Sequence, residues 1–157
     1  ADEGHRFSLS FLSAKAAARK QDPFFVLLAV DLLGRQRERK STPLLKRKGL
    51  EDHFMTAACC RALGRLGTPE SIRAVETFLD SPNPKVVKPA MRFLSDHGDK
   101  ATLRLLEERS KNQQLGEPAR RTYQQHAEGL SQILDGTRKP WDFEKEVEES
   151  KRRNRAK

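Results

Sequence analysis

An all-α chain, wound as a right-handed α-solenoid of stacked antiparallel helical hairpins, is the architecture this sequence predicts. Three observations carry the prediction. The sequence resembles itself at offsets of 30 and 31 residues, so that Ala29, Cys59 and Ala90 share a column and Leu33, Leu63 and Leu94 share another four residues on. Fixed-period similarity of this length marks a repeat architecture rather than a single closed core. Apolar residues in each unit recur at helical spacing, and helix-starting pairs of a capping residue and a proline stand ahead of them, as in Asp22-Pro23, Thr68-Pro69 and Asn83-Pro84.

The elements follow in order. Residues 5–20, with Phe7, Leu9, Phe11 and Leu12 ahead of an alanine-rich run, read as a helix that caps the first hairpin. Four units of about 22–50, 51–83, 84–116 and 117–135 complete a repeat domain over 1–135. In the first three, Asp22, Asp52 and Asn83 occupy the N-cap position of the first helix. Thr42, Thr68 and Asp99 occupy that of the second, ahead of Leu44 and Leu45, then Ile72, Val75, Phe78 and Leu79, then Leu103, Leu105 and Leu106. Gly67 and Gly98 fall where a left-handed helix-ending residue is expected. Gly136 ends the last unit, and residues 136–157 form a charged tail whose helix starts at Pro140. That helix docks through Trp141 and Phe143 and is supported by the i,i+4 pairs Glu148–Arg152 and Glu149–Arg153.

The stretches "AACCRALGRLGTPESIRAVETFLDSPNPKVV" and "PAMRFLSDHGDKATLRLLEE" resemble the HEAT repeat family, in its short bacterial form related to phycobilin-lyase-type repeats. The resemblance covers residues 51–109 well, 22–50 in the first helix and 117–134 loosely. It implies stacked hairpins whose curved surface binds partners without catalysis. One HEAT-like group, the alkylpurine DNA glycosylases, does work on DNA across a basic surface lined with aromatics. Here the single Trp and single Tyr, Trp141 and Tyr123, stand outside the well-matched units.

Composition narrows the function. Thirty-one Lys and Arg against 22 Asp and Glu give a net charge of +9, which favours acidic partners. No run of about 18 apolar residues is present, so no span of a membrane is expected. Cys59 and Cys60 are the only cysteines, and neighbours on a helix point about 100° apart. They share columns with Ala29 and Ala90, and with Val30 and Met91, so packing explains them better than metal or redox chemistry. His53 stands about two turns before the cysteines, His97 with Asp96 or Asp99 flanks an inter-helix turn where polar residues are commonplace, and His5 and His126 have no acidic or cysteine partner at ligand spacing, so no cofactor or metal is expected. Neither a nucleophile elbow nor a phosphate-cradling loop occurs, and the chain reads as non-enzymatic. Ala1 leaves the compartment open between cytoplasm and, if a signal peptide precedes it, export.

Charge concentrates in "GRQRERKSTPLLKRKG". Arg35, Arg37, Arg39, Lys40, Lys46, Arg47 and Lys48 stand here against Glu38 alone, at the loop of the first hairpin and on its second helix. A solvated loop, an acidic protein partner and nucleic acid all accommodate such a run. The reading adopted is an interaction or scaffolding module, a subunit of a larger assembly, that binds a protein partner with an acidic surface. Its site combines this rim with the groove of the second helices, including Arg73, Glu76, Arg104 and Glu107. The alternative is sequence-independent nucleic-acid binding through Arg35 to Lys48 and the tail. No aromatics are interleaved with the rim charges for a stacking platform.

Overall fold

The computed structural model describes residues 22–142, together with Phe11, Ala14, Lys15, Lys145, Glu149 and Arg152. Seven α-helices follow one another here: α1 Pro23–Arg35, α2 Thr42–Glu51, α3 Thr56–Leu66, α4 Pro69–Glu76, α5 Pro84–His97, α6 Lys100–Lys111 and α7 Glu117–Leu134. Tighter 3₁₀ turns precede α2 at Arg39–Ser41 and prolong α4 at Thr77–Asp80, and no strand occurs among the described residues. The helices form two layers. In one, α1, α3, α5 and α7 lie side by side, each touching the next; in the other, α2 packs on α3 and α4, and α6 packs on α7. This is an all-α helical-repeat solenoid.

The columns of the repeat are the core. Ala29, Cys59 and Ala90 are buried, as are Leu33, Leu63 and Leu94, and Val30, Cys60 and Met91. Small residues beside them set the spacing of the first layer. A Cβ added to Gly34 of α1 would lie 2.7 Å from the Cα of Ala62 in α3, and one added to Gly64 of α3 would lie 2.5 Å from the Phe93 ring in α5. Ala62 and Phe93 share one column, so the same contact recurs one unit further along. Within the second layer Phe78, fully buried, reaches under Gly49 of α2, where a Cβ would meet its ring at 2.6 Å and the Cβ of Cys59 in α3 at 3.1 Å. Burying side chains of this size is worth about 1.5–3 kcal/mol each, which is what ties the layers together. At the N-terminal end α1 leaves Phe24 and Phe25 exposed.

Helix starts follow the capping chemistry with local departures. Asp22 and Asn83 accept from the amides of Phe24 and Lys85, and Thr68 and Asp99 build reciprocal boxes with Ser71 and Thr102. Asp52 departs from its expected place. It ends α2 and accepts from Phe54 N at 3.2 Å across a turn, and α3 begins only at Thr56. Thr42 likewise is the first residue of α2, not its cap, because its hydroxyl donates back to the Arg39 carbonyl at 3.0 Å.

Of the two expected left-handed glycines, Gly67 adopts φ +64 but Gly98 is extended at φ −70. Gly98 is needed for space: a Cβ there would lie 2.6 Å from the Leu94 carbonyl. The helix expected over 5–20 lies outside the described residues apart from Phe11, Ala14 and Lys15, which are helical. Pro140 and Trp141 are not helical, while Lys145, Glu149 and Arg152 are; Phe143 and the pairs Glu148–Arg152 and Glu149–Arg153 lie outside the description.

Candidate functional site

The basic rim is built by the end of α1, the turn after it and α2. Gln36 continues the helical path, Arg37 takes φ +50, and the 3₁₀ turn then carries Arg39 and Lys40 outward. Arg37, Arg39, Lys40 and Arg47 are exposed and Lys46 is half-exposed, and none of the five forms an ion pair among the described residues. Two rim residues differ. Arg35 donates Nε to Asp31 Oδ2 at 2.6 Å, and Lys48, its side chain only 11% exposed, pairs with Asp52 at 3.3 Å. Arg39 also reaches electrostatically to α4. A hydrogen bond from Glu70's own backbone amide, then one from the Thr68 hydroxyl and last the charge of Arg39 lower the Glu70 carboxyl below the usual carboxylate value.

On the second layer the expected groove residues divide. Arg104 and Glu107 are exposed on α6. Arg73 and Glu76, expected to face a ligand, instead join α4 to α6. Arg73 forms ion pairs with Glu76 at 2.5 Å and with Asp99, and buried Glu76 accepts from the Thr102 hydroxyl at 2.7 Å. The cause is local: the capping box of α6 places Asp99 and Thr102 directly against α4. These contacts hold the Asp99 carboxyl low, although its partial burial acts in the opposite direction and is the largest single influence.

Sequence reasoning missed a cleft on the other face. It lies between α3 and α5, encloses about 860 Å³ and is floored by Ala57, Cys60, Gly64 and Phe93. Arg61 and Arg65 line it from α3, Lys88 and Arg92 from α5, and Lys139 from the segment after α7, against the carboxylates of Asp96 and Asp142 alone. Arg65 is held by Asp31 at 2.6 Å, which links this cleft to Arg35 on the rim. Burial first, and then the charge of Arg65, lower the Arg61 pKa, as expected where cations crowd together.

The outer wall depends on a fold-back. Gly136, at φ +81, turns the chain after α7, and Arg138 then donates to Asp96 Oδ1 at 2.8 Å, to the Ser95 carbonyl at 3.2 Å and to the Gly129 carbonyl at 3.1 Å. Lys139 to Asp142 are thereby laid beside α5, and the Arg92 guanidinium sits 5.1 Å from the Trp141 ring centroid. The α3 and α5 side chains were legible in the repeat register, since Arg61 shares a column with Arg92 and Ala57 with Lys88. The fold-back carried no comparable signal.

The remaining groups are structural. Cys59 and Cys60 are buried free thiols, and burial pushes Cys59 up to about 12 and raises Cys60 as well. No group of three or more His, Cys, Asp or Glu among the described residues is placed to hold a metal ion. None of the described helices is long and apolar enough to cross a membrane.

The family model for HEAT repeats matches residues 48–122, from the end of α2 into α7. These are HEAT repeats. The match covers both layers at the centre of the solenoid, including the α3 and α5 sides of the cleft and Arg73 with its partners. HEAT repeats generally serve as non-enzymatic modules that bind other proteins. Comparison with curated proteins finds no match for the chain.

Proposed function

We propose that the protein is a non-enzymatic scaffold that holds a partner protein of acidic surface, as a subunit of a larger assembly. The observation that carries this reading is the rim. Arg37, Arg39, Lys40, Lys46 and Arg47 project from a HEAT solenoid with no ion-pair partner among the described residues, whereas Arg73 and Arg109 on the second layer are engaged. Structural cations are consumed within the fold; on this reading the five rim cations meet the partner. Exposed Arg104 and Glu107 on α6 extend the proposed contact along the second layer.

Capture from the native source by the purified protein, at two salt concentrations, tests the reading. Binding is then reconstituted with the purified partner and with a variant carrying Arg37, Arg39, Lys40 and Arg47 as Ser. An acidic protein held by the wild type and released by the variant supports it. Equal binding by both proteins, or tight salt-dependent binding of labelled duplex DNA or RNA in place of a protein, overturns it.

A further inference from the structure

The cleft between α3, α5 and the Lys139–Asp142 segment lies apart from the rim, and its chemistry is specific enough to name an occupant. Its lining is apolar along Ala57, Cys60 and the ring of Phe93, which lies against Gly64. Its mouth is cationic, with Lys88 and Arg92 exposed and Lys139 facing them. A volume of about 860 Å³ falls within the range of ligand sites, but the cleft is half-open, and of its lining cations Lys88, Arg92 and Lys139 are exposed while Arg61 and Arg65 are partly buried. That suits a chain running across the opening better than a molecule enclosed within it.

We propose that this cleft seats a single large apolar side chain from an acidic segment of a partner protein, with flanking carboxylates drawn to Lys88, Arg92 and Lys139. The proposal rests on the reading of the protein as a partner-binding module and adds a second contact on the opposite layer. A buried apolar or aromatic anchor supplies most of the energy in such contacts. The surrounding cations select acidic sequence and speed encounter more than they add affinity. Arg65, fixed by Asp31, and Arg92, held over Trp141, are already positioned before a ligand arrives.

Fluorescence anisotropy with a short fluorescein-labelled polyglutamate peptide carrying one central phenylalanine tests the proposal on the full chain. Saturable binding is expected, weakened by at least about tenfold when the peptide's phenylalanine becomes serine. Two protein variants should have the same effect: Ala57→Trp, which fills the floor, and the exposed pair Lys88→Glu with Arg92→Glu, which removes the attraction without touching the core. The rim variant with Arg37, Arg39, Lys40 and Arg47 as Ser should bind the peptide like the wild type.

The proposal is overturned by absence of saturable binding, by equal affinity for the serine peptide, or by indifference to both cleft variants. Displacement of the peptide by single-stranded RNA at lower concentration also overturns it, because the occupant would then be a nucleic acid. If the cleft fails while rim-dependent capture of a protein persists, only this inference falls; if the rim variant still captures the partner protein undiminished and the cleft variants do not, the rim reading falls instead.

Discussion

The guanidinium of Arg138 donates to the carboxylate of Asp96 at 2.8 Å, joining the segment after α7 to the middle of the solenoid across 42 residues of sequence. Asp96 is 8% exposed, so loss of this partner would leave a buried carboxylate without its ion pair. Replacing Arg138 with Ala should cost about 1–3 kcal/mol, less than a fully buried pair because the Arg138 side chain is 40% exposed. Trp141, the only tryptophan, lies three residues further on and reports the wall directly. Its emission should shift to the red in Arg138→Ala while far-ultraviolet circular dichroism stays unchanged; an unmoved emission maximum would show that the wall holds without the latch.

Gly34→Ala separates helix propensity from packing. In an isolated helix the change gains about 1 kcal/mol. Here the new Cβ would press on the Ala62 backbone at 2.7 Å, and overpacking against backbone costs about 1–3 kcal/mol. Urea denaturation should therefore show net destabilisation, with a smaller loss for Gly64→Ala, where the obstacle is a Phe93 ring able to turn. A more stable Gly34→Ala protein would contradict the close approach of α1 to α3.

Thr102→Val probes the bond between α4 and α6. The hydroxyl that donates to buried Glu76 at 2.7 Å also closes the capping box with Asp99, by accepting from its amide at 3.2 Å. Its loss should lower stability by about 1–3 kcal/mol. Thr102→Ser, which keeps the hydroxyl, should stay much closer to the wild type. A Thr102→Val loss no larger than that of Thr102→Ser, measured by thermal melting, would show that the hydrogen bond contributes no more than the γ-methyl group does.

What the sequence made legible was whatever repeats. The buried columns at Ala29, Cys59 and Ala90 and at Leu33, Leu63 and Leu94 follow from periodicity, because each unit must bury the same face against its neighbours. The rim was legible as a run of charge. The ion pair of Arg73 with Asp99 and the hydrogen bond of Glu76 with Thr102 were not legible, because each partner stands 26 residues away and they meet only once α4 and α6 are stacked. The cleft was missed for a similar reason: two of its walls repeat, but the third is placed by a single turn at Gly136 and a single arginine.

His126 gives the protein an acid-sensitive element in α7. Its burial favours the neutral imidazole and outweighs the opposing pull of Asp96, while the charge of Arg138 acts in the same direction as burial. Its folded-state pKa is thus lower than the ordinary 6.5. Just below that value the unfolded chain binds more protons than the folded one, so stability is complete above it and declines as pH falls through the depressed native value. Denaturation midpoints measured across this window should fall with pH in the wild type and fall less steeply in His126→Gln; identical slopes would remove His126 as the cause.

Cys59 and Cys60 serve as the test of the repeat register itself. A thiol whose pKa stands at about 12 is protonated at neutral pH, and both side chains are at most 1% exposed, so neither thiolate character nor access is available to a reagent. Ellman's reagent should therefore modify the native protein only at the rate of unfolding and both thiols at once in denaturant. Because Ala29 and Ala90 already fill the Cys59 column, Cys59→Ala should leave a small cavity worth about 1 kcal/mol and no change in helix content. Rapid labelling of either thiol in the folded protein would mean that α3 does not sit between α1 and α5 as the columns require.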